Sequence, residues 1–359
     1  MIENLDDLRK FDSDSMFQVL LDFPKQISEA IKIIENSETF QKIDYIPTKF
    51  LILGMGGSAI GGDLLRSFCK SVKGANHLQI IVNRNYEIPA FIDESWFVIA
   101  SSYSGGTEET IAAYNFAKSR TNNILAITSG GKLEELARKD GYPVINIPSG
   151  FMPRCALGYS FFTLLLLLIR MKAIENTIAN TILSNIQTTK ELLIEKSKIY
   201  SDVSDNNLSI SIANKVKGKI PVIYSSENIL DVVNLRWRGQ IQENSKNLAF
   251  GNFLPEMNHN EINSWIEPSS LINQFVFILL RDKDDIPQIS KRIEAIKQIF
   301  ADMGNEVIEL QSGADSLLER IFDLIYLGDW VSYWLALLNR QDPTPIPLIS
   351  KMKEILSKS

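Results

Sequence analysis

The sequence predicts an α/β protein of two domains, each a parallel sheet flanked by helices, and three observations lead there. Short continuous apolar runs such as KFLIL and WFVIA alternate with stretches of helical periodicity, the pattern of strands covered on both faces by crossover helices. A glycine-dense loop, GMGGSAIGGD at 54–63, joins a strand to a helix. The alternation lapses into a polar helical stretch over about 172–207 and then restarts, which suits a chain of 359 residues divided in two.

The elements follow in order. Residues 1–45 form an N-terminal helical segment, because SMFQVLLDFPKQISEAIKII spaces its apolar residues helically, with an interruption at Pro24. The first domain spans 46–190. Its strands are KFLIL, LQIIVN, WFVIA, NILAITS and YPVINIP, and a long apolar helix follows PSGFMPRCALG. The second domain spans 191–359. It opens on the end of the connecting helix, continues with strands KIPVIYSS, QFVFILLRD and EVIELQS, and closes with the helix LLERIFDLIYLGDWVSYWLALLNR. By order, QFVFILLRD answers WFVIASSYS and EVIELQS answers YPVINIP, a repeat of architecture with little residue identity.

Bulk properties exclude several classes. Net charge is −6, with no basic footprint for nucleic acid or an anionic membrane. Two cysteines without a C-x-x-C pair support neither a disulfide framework nor a thiolate metal site. The N-terminus has neither the basic start nor the apolar stretch of a signal peptide. The run FFTLLLLLI at 161–169 falls short of the roughly 20 residues a bilayer span needs. A cytoplasmic protein is expected.

Two loops stand out. In the first, Gly54, Gly56 and Ala59 satisfy the dinucleotide fingerprint G-x-G-x-x-A. The acid expected at the end of the next strand is missing, and Asn83 and Arg84 stand there instead. Five glycines between 54 and 62 exceed what the fingerprint needs, so backbone N–H groups can approach a ligand closely, with Ser58 adding a hydroxyl. The second loop, SSYSGGTEET at 101–110, follows a strand and precedes a helix. Ser102, Ser104 and Thr107 offer neutral donors where a helix N-terminus favours an anion, and Gly105 and Gly106 let the backbone curl around it. A phosphate fits. The plainer alternative is Thr107 or Ser104 acting as an N-cap before Glu108 and Glu109.

These motifs, with PSGFMPRCALGYS, resemble the sugar isomerase (SIS) fold, and more narrowly the bifunctional phosphoglucose/phosphomannose isomerases; RWRGQIQENSK, PEMNHNEI and DPTPIPLISKMK extend the resemblance over residues 54–353. Two SIS-type domains are implied, with Ser102, Ser104 and Thr107 holding phosphate and Gly57 and Ser58 lining the sugar site. Gly106 departs from the Asn that many relatives carry. Aldose–ketose interconversion needs a carboxylate base, an acid/base for the ring oxygen and a cation beside the developing charge. By resemblance these are Glu243, His259 and Arg154, with Lys353 approaching the sugar from the C-terminal helix. No metal and no cofactor is implied. A homodimer is implied, the histidine entering the partner's site. Two other functions compete: a non-catalytic SIS sensor of sugar phosphates, and an NADP-dependent reductase resting on the fingerprint and Arg84.

Overall fold

The computed structural model describes residues 5–37, 45–204 and 206–358; residues 1–4 and 38–44 of the expected N-terminal segment lie outside them. In chain order the elements are α1 (Leu5–Arg9), α2 (Met16–Leu21), α3 (Phe23–Glu35), β1 (Lys49–Leu53), α4 (Gly56–Ser71), β2 (Gln79–Asn83), β3 (Phe97–Ser102), α5 (Glu108–Ala117), β4 (Ile124–Thr128), α6 (Gly131–Lys139), β5 (Val144–Asn146), α7 (Leu157–Arg170) and α8 (Asn176–Ser201). Then come α9 (Leu208–Val216), β6 (Ile220–Ser226), α10 (Asp231–Ser245), β7 (Phe250–Leu254), β8 (Phe275–Arg281), α11 (Pro287–Asp302), β9 (Glu306–Gln311), α12 (Leu317–Leu338) and α13 (Pro347–Leu356). The chain divides into two compact units, Asp22–Glu191, and Leu192–Ser359 with Met1–Leu21. The first division falls where Pro24 starts α3: a proline is tolerated in the first helical turn and not inside a helix.

The unit Asp22–Glu191 holds a five-stranded parallel sheet of order β2-β1-β3-β4-β5. Its strands read as continuous apolar runs because both faces are covered. Leu51, Leu53, Val98 and Ala100 pack with Ala113, Tyr114 and Ala117 of α5 and Leu133 and Ala137 of α6. On the opposite face Ile52 meets α4 at Gly62, and α4 and α3 both pack on α7. From β1 the chain steps outward to β2, then crosses back to β3. The direction of winding therefore reverses between β1 and β3, the point at whose carboxyl ends ligands of such sheets bind.

The other unit holds a four-stranded parallel sheet of order β7-β6-β8-β9. Val222, Tyr224, Phe277 and Leu279 pack with Ile293, Ile296 and Phe300 of α11. Helix α12 is long and apolar enough to cross a membrane, yet 94% of its most apolar window is buried inside the protein. It is a core helix. Strand β7 was not foreseen: it is an edge strand with exposed Phe250, and Gly251 and Asn252 interrupt its pattern. Its presence corrects the alignment of the two halves. With β7 matching β2, EVIELQS (β9) sits beside β8 as NILAITS (β4) sits beside β3, so it answers NILAITS and not YPVINIP.

Candidate functional site

Three segments of the unit Asp22–Glu191 meet at the carboxyl ends of β1 and β3. Helix α4 begins at Gly56, directly after β1. Ser58 near its start is buried, and its hydroxyl accepts from the Tyr103 N–H at 3.0 Å, tying the glycine loop to the hydroxyl loop. Gly57 lies against the short 3₁₀ turn Pro153–Cys155: a Cβ there would stand 2.3 Å from the Pro153 carbonyl oxygen and 3.0 Å from the Arg154 nitrogen. The Arg154 side chain is buried. Gly57, Ser58, Ser102, Ser104, Thr107 and Arg154 all belong to this unit.

The hydroxyls of the second loop are not used as caps. Thr107 is the N-cap residue of α5 by backbone geometry, but its side chain makes no capping bond. Its Oγ1 lies 2.9 Å from the buried Ser102 Oγ instead, while Ser104 Oγ accepts from the Gly106 N–H at 3.3 Å. At Gly105, φ is +65° and a Cβ would collide with the Gly130 carbonyl, so only glycine closes this turn. A Cβ at Gly106 would meet nothing within 4 Å.

The support for this loop, the segment TSGG at 128–131, is not among the motifs singled out from the sequence. The Ser129 N–H and hydroxyl both donate to the Tyr103 carbonyl, at 3.0 and 2.6 Å, and the Leu133 N–H donates to the Gly105 carbonyl at 2.8 Å. A second glycine pair at the end of a neighbouring strand was the available signal. Arg84, on which the NADP reading rested, is paired with Asp63 of α4; its guanidinium is engaged with a carboxylate of its own unit.

Glu243, His259 and Lys353 lie on three separate elements of the other unit. Glu243 is half-buried on α10. The helix face beside it is locked to α12: Arg236 and Gln240 both reach Asp329, at 2.7 and 3.1 Å, Asn244 donates to Ser332 Oγ at 2.9 Å, and Trp237 donates to the Leu324 carbonyl at 2.8 Å. These positions recur at helical spacing, which fixes the rotation of α10 and so the direction of Glu243. His259 ends the 3₁₀ turn Glu256–His259 and is exposed. Lys353 is exposed on α13, which buries none of its residues. Asp342 orders the approach to that helix, accepting from the Thr344 N–H at 2.9 Å and from Ser13 Oγ at 2.5 Å, while its carbonyl takes a bond from Lys246 just past α10. Among the described residues no group of three or more His, Cys, Asp or Glu side chains is arranged to hold a metal.

Two parallel sheets, the first presenting hydroxyls and main-chain amides at its switch point, define a protein of the sugar isomerase class. The family of bacterial phospho-glucose isomerase C-terminal SIS domains matches residues 205–356. A solved structure of a hypothetical protein from Thermus thermophilus superposes with a TM-score of 0.75 at 15% identity, over 98% of this chain and 93% of that one. The chain is 41% identical to a bifunctional phosphoglucose/phosphomannose isomerase of Caldicellulosiruptor bescii, over 96% of this chain and 99% of the relative. It is 35% identical to one of Aquifex aeolicus, over 92% and 99%. The chain belongs to the bifunctional phosphoglucose/phosphomannose isomerase family, and it is an isomerase.

Proposed function

We propose that the protein interconverts glucose 6-phosphate, and mannose 6-phosphate, with fructose 6-phosphate without a metal or cofactor, as a cytoplasmic homodimer with composite sites. The phosphoryl group rests on Ser102, Ser104, Thr107 and the amides of their loop. Neutral donors at a helix N-terminus suit a dianion without adding a fixed charge that would bind every anion alike. Gly57 and Ser58 face the sugar.

Ring opening moves a proton from the C1 hydroxyl and delivers one to the ring oxygen, the task of His259 from the partner subunit, whose imidazole can accept a proton at one ring nitrogen and donate one. Glu243 then takes the proton from C2 of the open aldose. The electron pair left behind forms the C1–C2 double bond, and the C1 carbonyl oxygen takes up negative charge facing the Arg154 guanidinium. With the C2 hydroxyl proton passed to O1, Glu243 returns its proton to C1, the C2 carbonyl forms and the ketose results. The enediolate is planar, so reprotonation of C2 from either side yields glucose or mannose stereochemistry. Lys353 steadies the sugar hydroxyls from α13.

The observation that supports this most directly is the Ser102–Thr107 hydroxyl pair, 2.9 Å apart and unused by the helix it precedes, in a chain of this family. Glu243→Gln tests the assignment. Turnover should fall by about 10²–10⁴, the usual worth of a general base, with binding of a sugar phosphate retained. Full activity of that variant would remove Glu243 from the mechanism.

A further inference from the structure

Glu261 makes a set of contacts that the reaction scheme does not use. Its Oε1 accepts from the Tyr224 hydroxyl at 2.5 Å and its Oε2 from Asn252 Nδ2 at 2.6 Å. Tyr224 and Asn252 are register partners on the adjacent strands β6 and β7, so one carboxylate bridges two strands. Tyr224 is buried, lies nearly parallel to both Phe277 and Phe300 at 6.2 and 6.0 Å between ring centroids, and accepts from Trp265 Nε1 at 3.0 Å. Asn252 is held in turn, its Oδ1 accepting from the Phe253 N–H at 2.8 Å. Burial, the bond to Glu261 and its negative charge hold the Tyr224 hydroxyl far above the usual phenol range, so it remains a donor at every working pH.

His259 stands two residues before this anchor. Two residues on its other side, the Met257 side chain is fully buried in the core under β6–β8. Between them Asn260 caps the next 3₁₀ turn, its Oδ1 accepting from the Glu261 N–H at 2.6 Å and its Nδ2 donating to Glu256 Oε1 at 2.9 Å. The segment is built of short 3₁₀ turns, with no α-helix or strand ladder to fix it. An exposed histidine on such a segment would wander unless both flanks were fastened, and a misplacement of about 1 Å at a reacting group costs on the order of 10²-fold in rate.

We propose that Glu261 is a positioning residue for the reaction: by bridging Tyr224 and Asn252 it holds the turn that aims the His259 imidazole. This rests on the reading of His259 as the ring-opening group. The test uses the direction of the bond between Asn252 and Glu261. Asn252→Asp sets two carboxylates against each other. Glu261→Gln leaves one acceptor oxygen for two donors: either two amide NH₂ groups face each other, since turning Asn252 over would break its bond to Phe253, or the new amide turns over and the Tyr224 hydroxyl loses its acceptor. The double variant N252D/E261Q restores every bond, with only the polarity of that one reversed.

Each full-length variant is assayed with fructose 6-phosphate and with 5-deoxyfructose 6-phosphate, which lacks the hydroxyl that closes the furanose and is permanently open. Each single variant should lose about 10- to 100-fold in kcat/KM on the cyclic substrate and no more than about threefold on the open one, and the double variant should recover to within about threefold of the original on both. Equal losses on the two substrates, no loss, or failure of the double variant to recover would overturn the proposal. His259→Ala is run alongside. If it spares the open substrate while the Glu261 and Asn252 variants do not, the clamp is wrong and the ring-opening role stands; if it loses both substrates equally, the ring-opening role itself fails and the proposal falls with it.

Discussion

Gly57→Ala should damage catalysis through one backbone contact. The added Cβ would lie 2.3 Å from the Pro153 carbonyl oxygen, 2.6 Å from its carbon and 3.0 Å from the Arg154 nitrogen. All three are main-chain atoms, so no flexible side chain can swing away. Ordinary contact begins near 3.4 Å, so the first turn of α4 and the Pro153–Cys155 turn must separate by about 1 Å. Overpacking of that size costs about 1–3 kcal/mol of stability. For function the direction of the shift matters more. The turn that moves carries Arg154, and a displacement of about 1 Å from a productive geometry costs on the order of 10²-fold.

In the proposed scheme Arg154 meets charge that appears only in the transition state, so the loss should fall on kcat. The hydroxyl loop at 102–107 has its own support from the 128–131 segment, so competitive inhibition by inorganic phosphate should persist. Steady-state kinetics with fructose 6-phosphate, phosphate inhibition and a thermal melt measure all three quantities. Gly313→Ala is the control, because a Cβ there meets nothing within 4 Å and φ is not in the left-handed region. If Gly57→Ala keeps both the kcat and the Tm of the parent, the contact does not constrain the turn and the argument is wrong.

Further expectations can be checked with simple preparations. Gly106→Asn should lower KM for fructose 6-phosphate about fivefold, the worth of one net hydrogen bond of about 1 kcal/mol, because the position is sterically open; an unchanged or higher KM would count against a phosphate at this loop. Dialysis of the enzyme against a chelator should leave kcat unchanged, since the proposed scheme moves protons through a carboxylate and an imidazole and stabilises charge with a guanidinium; activity that returns only with added zinc would refute the scheme. The bonds from Lys118 and then Tyr114 hold the Asp140 carboxyl below the usual carboxylate range. A depressed folded pKa gives stability that is present above the unfolded value, near 3.9, and lost as pH falls through the folded one. Asp140→Asn should therefore narrow the gap between the urea midpoints at pH 7 and pH 3, and an unaltered gap would show that the contact is not felt.

What could be read from residues alone follows from which forces are local. Strands β1, β3, β4, β6 and β8 are buried on both faces, and burial writes itself as an unbroken apolar run. The hydroxyl loop stood out because several small polar residues and glycines fall in a few consecutive positions, the composition the proposed phosphate site calls for. β7 was hidden because an edge strand needs only one covered face, and Gly251 is demanded there by a neighbour: a Cβ would lie 2.2 Å from the Ile223 carbonyl oxygen. The missing strand then misaligned β9 with β5.

The residues assigned to proton transfer were legible only through resemblance, and the physics of the second unit accounts for that. Glu243 is one of many helix glutamates. What sets it apart is the rigidity of α10, produced by Asp329, Ser332 and the Leu324 carbonyl, partners some 90 residues away along the chain. His259 sits in a segment with no periodicity, PEMNHNEI, whose shape is imposed from outside by Tyr224, Asn252 and the core around Met257. A phosphate cradle can be built from one loop and the helix after it. A general base and a ring-opening imidazole must instead be held to within fractions of an ångström by groups from other strands and helices, so their signal is distributed over positions that look ordinary one at a time.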